Sequence, residues 1–149
     1  MAFSRDELIS AMIEWNRAWD RHDLDRVMDL FHEEIHFENW TGGKAQGKEA
    51  LRKAWSPWFA DHGHFRFKKE DLFADEQEQW FLHAWKMTRP FREKGFEGKP
   101  EKRRCVDGIY FKDGKIIIKL IFSQARIKIS GETIAYGLEL PAENRIFPK

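Results

Sequence analysis

The chain has 149 residues, 26 Lys and Arg against 25 Asp and Glu, and a formal net charge of +1. That length suits one domain around one core, over residues 1–149, and the balanced charge provides no basic field for nucleic acid. One cysteine, Cys105, excludes an internal disulfide and a cysteine metal cluster.

The opening MAFSRDELIS is charged too early and is too polar for a signal peptide. Ser4 and Glu7 form a capping-box pattern. Leu8, Met12, Trp15 and Trp19 then recur at helical spacing, widened by Ile9 and Ile13, which predicts a first helix over 5–21. Asp23 can cap a short second helix with the stripe Leu24, Val27, Met28 and Phe31. Residues 35–40 alternate as a strand, with Ile35, Phe37 and Asn39 on one face and His36, Glu38 and Trp40 on the other. Gly47 starts a third helix carrying Leu51, Trp55, Trp58 and Phe59. Pro57 either kinks it or follows a new cap at Ser56.

Strands are expected next over 64–73 and 79–91. The second is apolar on both faces and therefore interior to a sheet. One face carries Phe81, His83, Trp85 and Met87; the other carries Trp80, Leu82, Ala84, Lys86 and Thr88. A charged loop is predicted over 92–100, and the basic run 99–104 reads as a solvated loop entering a strand. Two further strands, 103–112 and 115–129, flank Asp113-Gly114, a strong hairpin signal. A last short strand is expected over 133–136. The most apolar run, 116–122, is too short to span a bilayer and contains Lys119, so the expectation is a cytoplasmic protein with no membrane contact. Helices gathered ahead of antiparallel strands argue an α+β fold, in which a long helix laid across a curved sheet leaves an open-ended cone.

Seven Trp and thirteen Phe exceed what a plain core of this size requires. They either line a ligand cavity or fill a heavy aromatic core and a subunit interface.

The stretch from Asp23 to Phe31, followed by Ile35-His36-Phe37-Glu38-Asn39, the glycine-led Gly47-Lys48-Glu49-Ala50-Leu51, and the hairpin Val106-Asp107-Gly108 through Asp113-Gly114-Lys115-Ile116 together resemble the nuclear transport factor 2-like superfamily. The likeness lies on its SnoaL-like and ketosteroid isomerase-like side. It implies a strongly curved, mostly antiparallel sheet around about three helices, a hydrophobic cone and a homodimer. Members include isomerases, polyketide cyclases, dehydratases, epoxide hydrolases and non-catalytic modules, so fold alone assigns no chemistry.

Carried across residue by residue, the likeness gives a mixed picture. The carboxylate base of ketosteroid isomerase-like members matches Asn39, an amide that cannot accept a proton at neutral pH. Glu38 adjoins it but points to the opposite face unless a bulge intervenes. Their oxyanion-binding tyrosine matches Trp15, which is either an indole donor or a core residue. Their protonated aspartic acid matches Asp107. Buried among apolar neighbours, Asp107 either stays neutral and donates to a ligand carbonyl, or pairs with Lys119 or Arg104. Asp107→Asn would stabilise the fold at neutral pH in the first case and cost stability in the second. The acid/base aspartate of SnoaL-like cyclases matches Ser123, which has no evident activating partner. The arginine of limonene epoxide hydrolase-like members matches Cys105, and their second acid has no match in 115–129.

No metal or other cofactor is expected from the six histidines, which lack ligand spacing. His83 is either a satisfied core residue or a pocket group. The resulting expectation is a protein with a pocket for a small apolar molecule, floored by Asp107, Asn39, Ser123 and Lys119. Trp15, Trp55, Phe59 and Trp85 are its candidate walls, and Trp19, Phe37 and His83 its further contacts. Two readings stay open. One is proton-transfer chemistry (isomerisation, cyclisation or dehydration) with Asp107 as acid or base and Trp15 or Asn39 as donor. The other is a non-catalytic dimeric binding or scaffold module.

Overall fold

Ser4 does cap the first helix in the computed structural model, which describes residues 1–90, 97–124 and 126–135. Its hydroxyl accepts from the Glu7 amide while the Glu7 carboxylate accepts from the Ser4 amide, so the capping box closes α1 (Arg5–Asp20) at its N-terminus. Leu8, Met12, Trp15 and Trp19 are buried along its inner face, whereas Ile13 is 40 % exposed and lies off that stripe. Asp23 caps α2 (Leu24–Asp29) through the Arg26 amide. This helix stops before Phe31, which opens β1 (Phe31–Glu38) instead.

A short strand absent from the sequence expectation, β2 (Lys44–Gln46), folds back on β1. Next comes α3 (Lys48–Ala60), which runs through Pro57 as one element; Ser56 Oγ donates to the Arg52 carbonyl rather than capping a new start. The remaining strands are β3 (Arg66–Asp75), β4 (Trp80–Pro90), β5 (Pro100–Lys112), β6 (Lys115–Ser123), β7 (Arg126–Ile129) and β8 (Glu132–Ala135). The run expected as one strand over 115–129 is therefore two, broken after Ser123. Most of the predicted 92–100 loop, residue 136 of the expected last strand, and the tail after it fall outside the described residues.

The sheet order is β2-β1-β6-β5-β4-β3, with β7 joined to β5 and β8. Among the described residues, only β1 and β6 run parallel; every other pairing is antiparallel. The sheet is curved and not closed into a barrel, and the three helices of the described residues precede most of its strands, as the expected open-ended cone requires. The β5–β6 hairpin turns on Asp113 and Gly114, both at positive φ (51° and 72°), the geometry of the tight turn that Asp-Gly favours.

Strand alternation decides what reaches the interior. On β4, Phe81, His83, Trp85 and Met87 are buried against the helices. On β5 the same phase buries Glu101, Arg103, Cys105, Asp107 and Ile109. The basic run 99–104 is thus not a solvated loop: strand β5 begins at Pro100, and every second residue of the run turns inward.

Candidate functional site

A cavity of about 280 Å³ lies between α1, α3 and the inward face of the sheet. Six of the seven tryptophans line it: Trp15, Trp19, Trp40, Trp55, Trp58 and Trp85. Trp80 is the exception; its ring meets Tyr110 on the neighbouring strand at 4.2 Å. Of the two explanations for the aromatic content, lining a cavity accounts for most of the tryptophan. Trp19 is the hub, with its ring centroid 5.6 Å from Trp15, 5.1 Å from Trp55 and 5.5 Å from Phe67. Edge-to-face pairs of this kind add to burial and hold the rings in fixed orientations.

The polar floor is built by three adjacent strands. β4 brings His83 opposite Asp107 of β5, and β6 places Lys119 diagonally across from Asp107. Lys119 Nζ donates to Asp107 Oδ2 at 2.5 Å, and both side chains are only 3 % exposed. The ammonium also sits 4.9 Å from the centre of the Trp15 ring, a cation–π contact that compensates part of its lost hydration. His83 Nε2 lies 3.2 Å from the same carboxylate oxygen, but off the line that a hydrogen bond needs. Burial pushes the His83 imidazole down to about 4; the Asp107 charge opposes this, while Lys119 and Lys69 reinforce it. His83 is therefore neutral at pH 7 and a weak base.

Asp107 Oδ1, His83 Nε2 and the indole N–H groups of Trp19, Trp58 and Trp85 are buried without a hydrogen-bond partner among the described residues. All five residues line the cavity. Buried polar groups are rarely left so, and here the unused hydrogen-bonding capacity is gathered on one surface.

The structure redistributes several of the expected site residues. Asn39, Phe37, Trp55, Trp85, Lys119 and His83 do line the cavity. The side-chain oxygen of Asn39 accepts from the Trp40 amide at 2.9 Å. Trp15 offers its ring but not its N–H, which already donates to the Val27 carbonyl at 3.0 Å; as an oxyanion donor it is a correction. Ser123 is not part of the floor: it ends β6 beyond the cavity, where its hydroxyl accepts from Arg103 and donates to the Gln124 carbonyl. Phe59 is buried behind Trp19, at 5.0 Å, rather than on the wall. Glu38 stays on the outer side with His36 and Lys44, because the β1 irregularity falls upstream of His36. Hydrogen bonding to Glu38 raises the His36 imidazole above its ordinary range.

Sequence reasoning missed the cluster at the cavity mouth. Glu101 is fully buried and accepts from both Arg89 Nε and Arg103 Nε at 2.9 Å. The Arg103 guanidinium lies 4.8 Å from the Trp40 ring, and Arg89 lines the cavity. Extending the alternation of Cys105 and Asp107 back by two and four residues would have found Arg103 and Glu101. Cys105 itself is an inert core thiol, pushed up to about 11 by burial. Among the described residues, no group of three His, Cys, Asp or Glu side chains is arranged to hold a metal ion, and no helix is long and apolar enough to cross a membrane.

Residues 12–118 match the profile of the SnoaL-like domain. No curated protein sequence is a significant match. Solved structures with the same fold include a protein of unknown function from Mesorhizobium loti, described as NTF2-like. It has 21 % identity and a TM-score of 0.63, with 80 % of this chain and 93 % of that one covered. SalBIII, an epoxide hydrolase/cyclase-like enzyme in pyran ring formation in the polyether salinomycin, has 17 % identity and a TM-score of 0.69 (80 % and 92 % covered). An LEH-like epoxide hydrolase from M. tuberculosis has 16 % identity and a TM-score of 0.66 (80 % and 84 % covered). At these identities the likeness is one of fold.

Proposed function

The chain belongs to the SnoaL-like domain family, and on that premise we propose that it binds a small, ring-bearing apolar molecule in its cone, with the Asp107–Lys119 pair as the polar floor. The observation that carries this reading is the aromatic-walled cavity that holds five buried polar groups without hydrogen-bond partners among the described residues. Tryptophan emission across a panel of steroids, polyketides, terpenoids and one- and two-ring aromatic compounds tests it. Saturable quenching by some members supports the reading, and unchanged emission with all of them defeats it.

A second reading, proton-transfer catalysis, is favoured by one feature: the free oxygen of Asp107 lines the same cavity as the Lys119 ammonium. Oδ1 could take a proton from the carbon next to a ligand carbonyl while Lys119 stabilises the resulting enolate oxygen, with return of the proton elsewhere on the ligand. Against it stand the amide at Asn39 and the weak base His83. Deuterium exchange into bound ring ketones separates the two. Exchange that Asp107→Asn abolishes supports catalysis; binding without exchange leaves a non-catalytic module.

The partner we propose is a second copy of the chain on the outer face of the sheet. Trp80, Leu82 and Leu120 are half-exposed there, and Phe122 is 62 % exposed. An apolar sheet face of this kind calls for cover.

A further inference from the structure

We infer that the cavity's ligand is a one- or two-ring aromatic carboxylate, an inference that rests on the binding reading above and narrows it. Size is the first ground. A cavity of roughly 150 Å³ lined by Leu, Ile and Phe accommodates benzene, with its six non-hydrogen atoms. The present cavity, about 280 Å³, is roughly twice that and so takes a ring system of about a dozen atoms. A four-ring steroid or polyketide has more atoms than that and would extend out of the cavity's open side.

Charge is the second ground. Three cationic residues line the cavity, Lys69, Arg89 and Lys119, against one carboxylate, Asp107. Asp107 is taken by Lys119. Glu101, behind the wall, is shared between Arg89 and Arg103. Lys69 is left with no ion pair among the described residues. It stands directly across from Trp85 in the β3–β4 register, and Trp85 carries one of the unpartnered buried indole N–H groups. Both residues line the cavity from adjacent strands, and together they suit a carboxylate: the Lys69 ammonium supplies charge and the Trp85 indole a donor for one oxygen. The unpartnered indoles of Trp19 and Trp58 add donors and no acceptor, which favours an oxygen-bearing ligand over a hydrocarbon.

Calorimetry with naphthoate, its neutral analogue naphthyl methanol, and progesterone tests this. The expected result is naphthoate binding roughly tenfold tighter than naphthyl methanol, as one charge-assisted hydrogen bond would give, with progesterone weaker than both. In the Lys69→Met variant, whose replaced side chain is exposed and whose folding is checked by its thermal melt, the naphthoate to naphthyl methanol ratio falls to near one. Equal affinities for the two naphthalenes in the wild type, or progesterone binding as tightly as naphthoate, overturns the inference while the binding reading stands. If none of the three probes binds, the inference falls, and the wider fluorescence panel then decides the binding reading separately.

Discussion

Asp107 meets a lysine, a histidine and a tryptophan-lined space within one side-chain length, and its neighbours determine how it responds to change. Its partner Lys119 is buried, so Asp107→Asn leaves an ammonium without a counter-charge. We expect a loss of about 3 kcal/mol or more in urea unfolding at pH 7. The double variant Asp107→Asn with Lys119→Met should recover much of it, since removing both charges removes the desolvation cost as well. His83 supplies a pH dependence of known sign. Its folded pKa lies below 6.5, at about 4. Between those values the unfolded chain binds a proton that the folded chain does not. Stability contributed by neutral His83 is therefore full above pH 6.5 and falls as the pH drops toward 4, by roughly 3 kcal/mol at the end of that window. Urea midpoints at pH 7 and pH 5 should converge in His83→Leu; an unchanged pH slope would mean that His83 is not the group. The presence of Asp107 and Lys119 on inward faces was legible from alternation. That they form one ion pair depended on the shift in β5–β6 register between Tyr110 and Phe111, which puts Lys119 on the face of Asp107 and which the turn dipeptide does not specify.

At the scale of elements, the β5–β6 hairpin brings those two strands together, and Asp113-Gly114 turns it. Gly114 sits at φ 72°, and a Cβ there would come within 3.1 Å of the Phe3 ring. Gly114→Ala should cost about 1–2 kcal/mol, from strain and from the displaced ring, and thermal melts would show it as a lowered midpoint. A fall no larger than that of Gly131→Ala, where a Cβ meets nothing within 4 Å, would mean that contact with Phe3 adds nothing. The hairpin, the capping box and the inward phase of β4 were readable because each is local: a turn dipeptide, a four-residue cap, a period of two. The start of β5 was not, because Lys102 and Arg104 are exposed while Glu101 and Arg103, alternating with them, are buried with each other and Arg89. Charge on every residue from 101 to 104 hides the inward face, and the tertiary pairing makes burial of the carboxylate tolerable. Ser123 failed as a floor residue for a similar reason: it has the right phase on β6 but lies one step past the cavity.

For the whole molecule, the curved sheet leaves two apolar surfaces, one inside the cone and one outside. If the outer one joins two copies, sedimentation at micromolar concentration should give a dimer, and Phe122→Glu should give a monomer with its fold intact; a wild-type monomer would contradict the pairing. The inner surface carries the central claim, that the cone binds a small ring-bearing molecule, and the tryptophans provide their own reporters. Seven indole N–H resonances, assigned by single Trp→Phe substitutions, can be followed while naphthoate or naphthyl methanol is titrated in. The resonances of Trp19, Trp58 and Trp85, whose N–H groups have no hydrogen-bond partner among the described residues, should shift most, while Trp80, on the outer face, stays in place. Titration that moves Trp80 alone, or moves none of the cavity indoles, would contradict that claim.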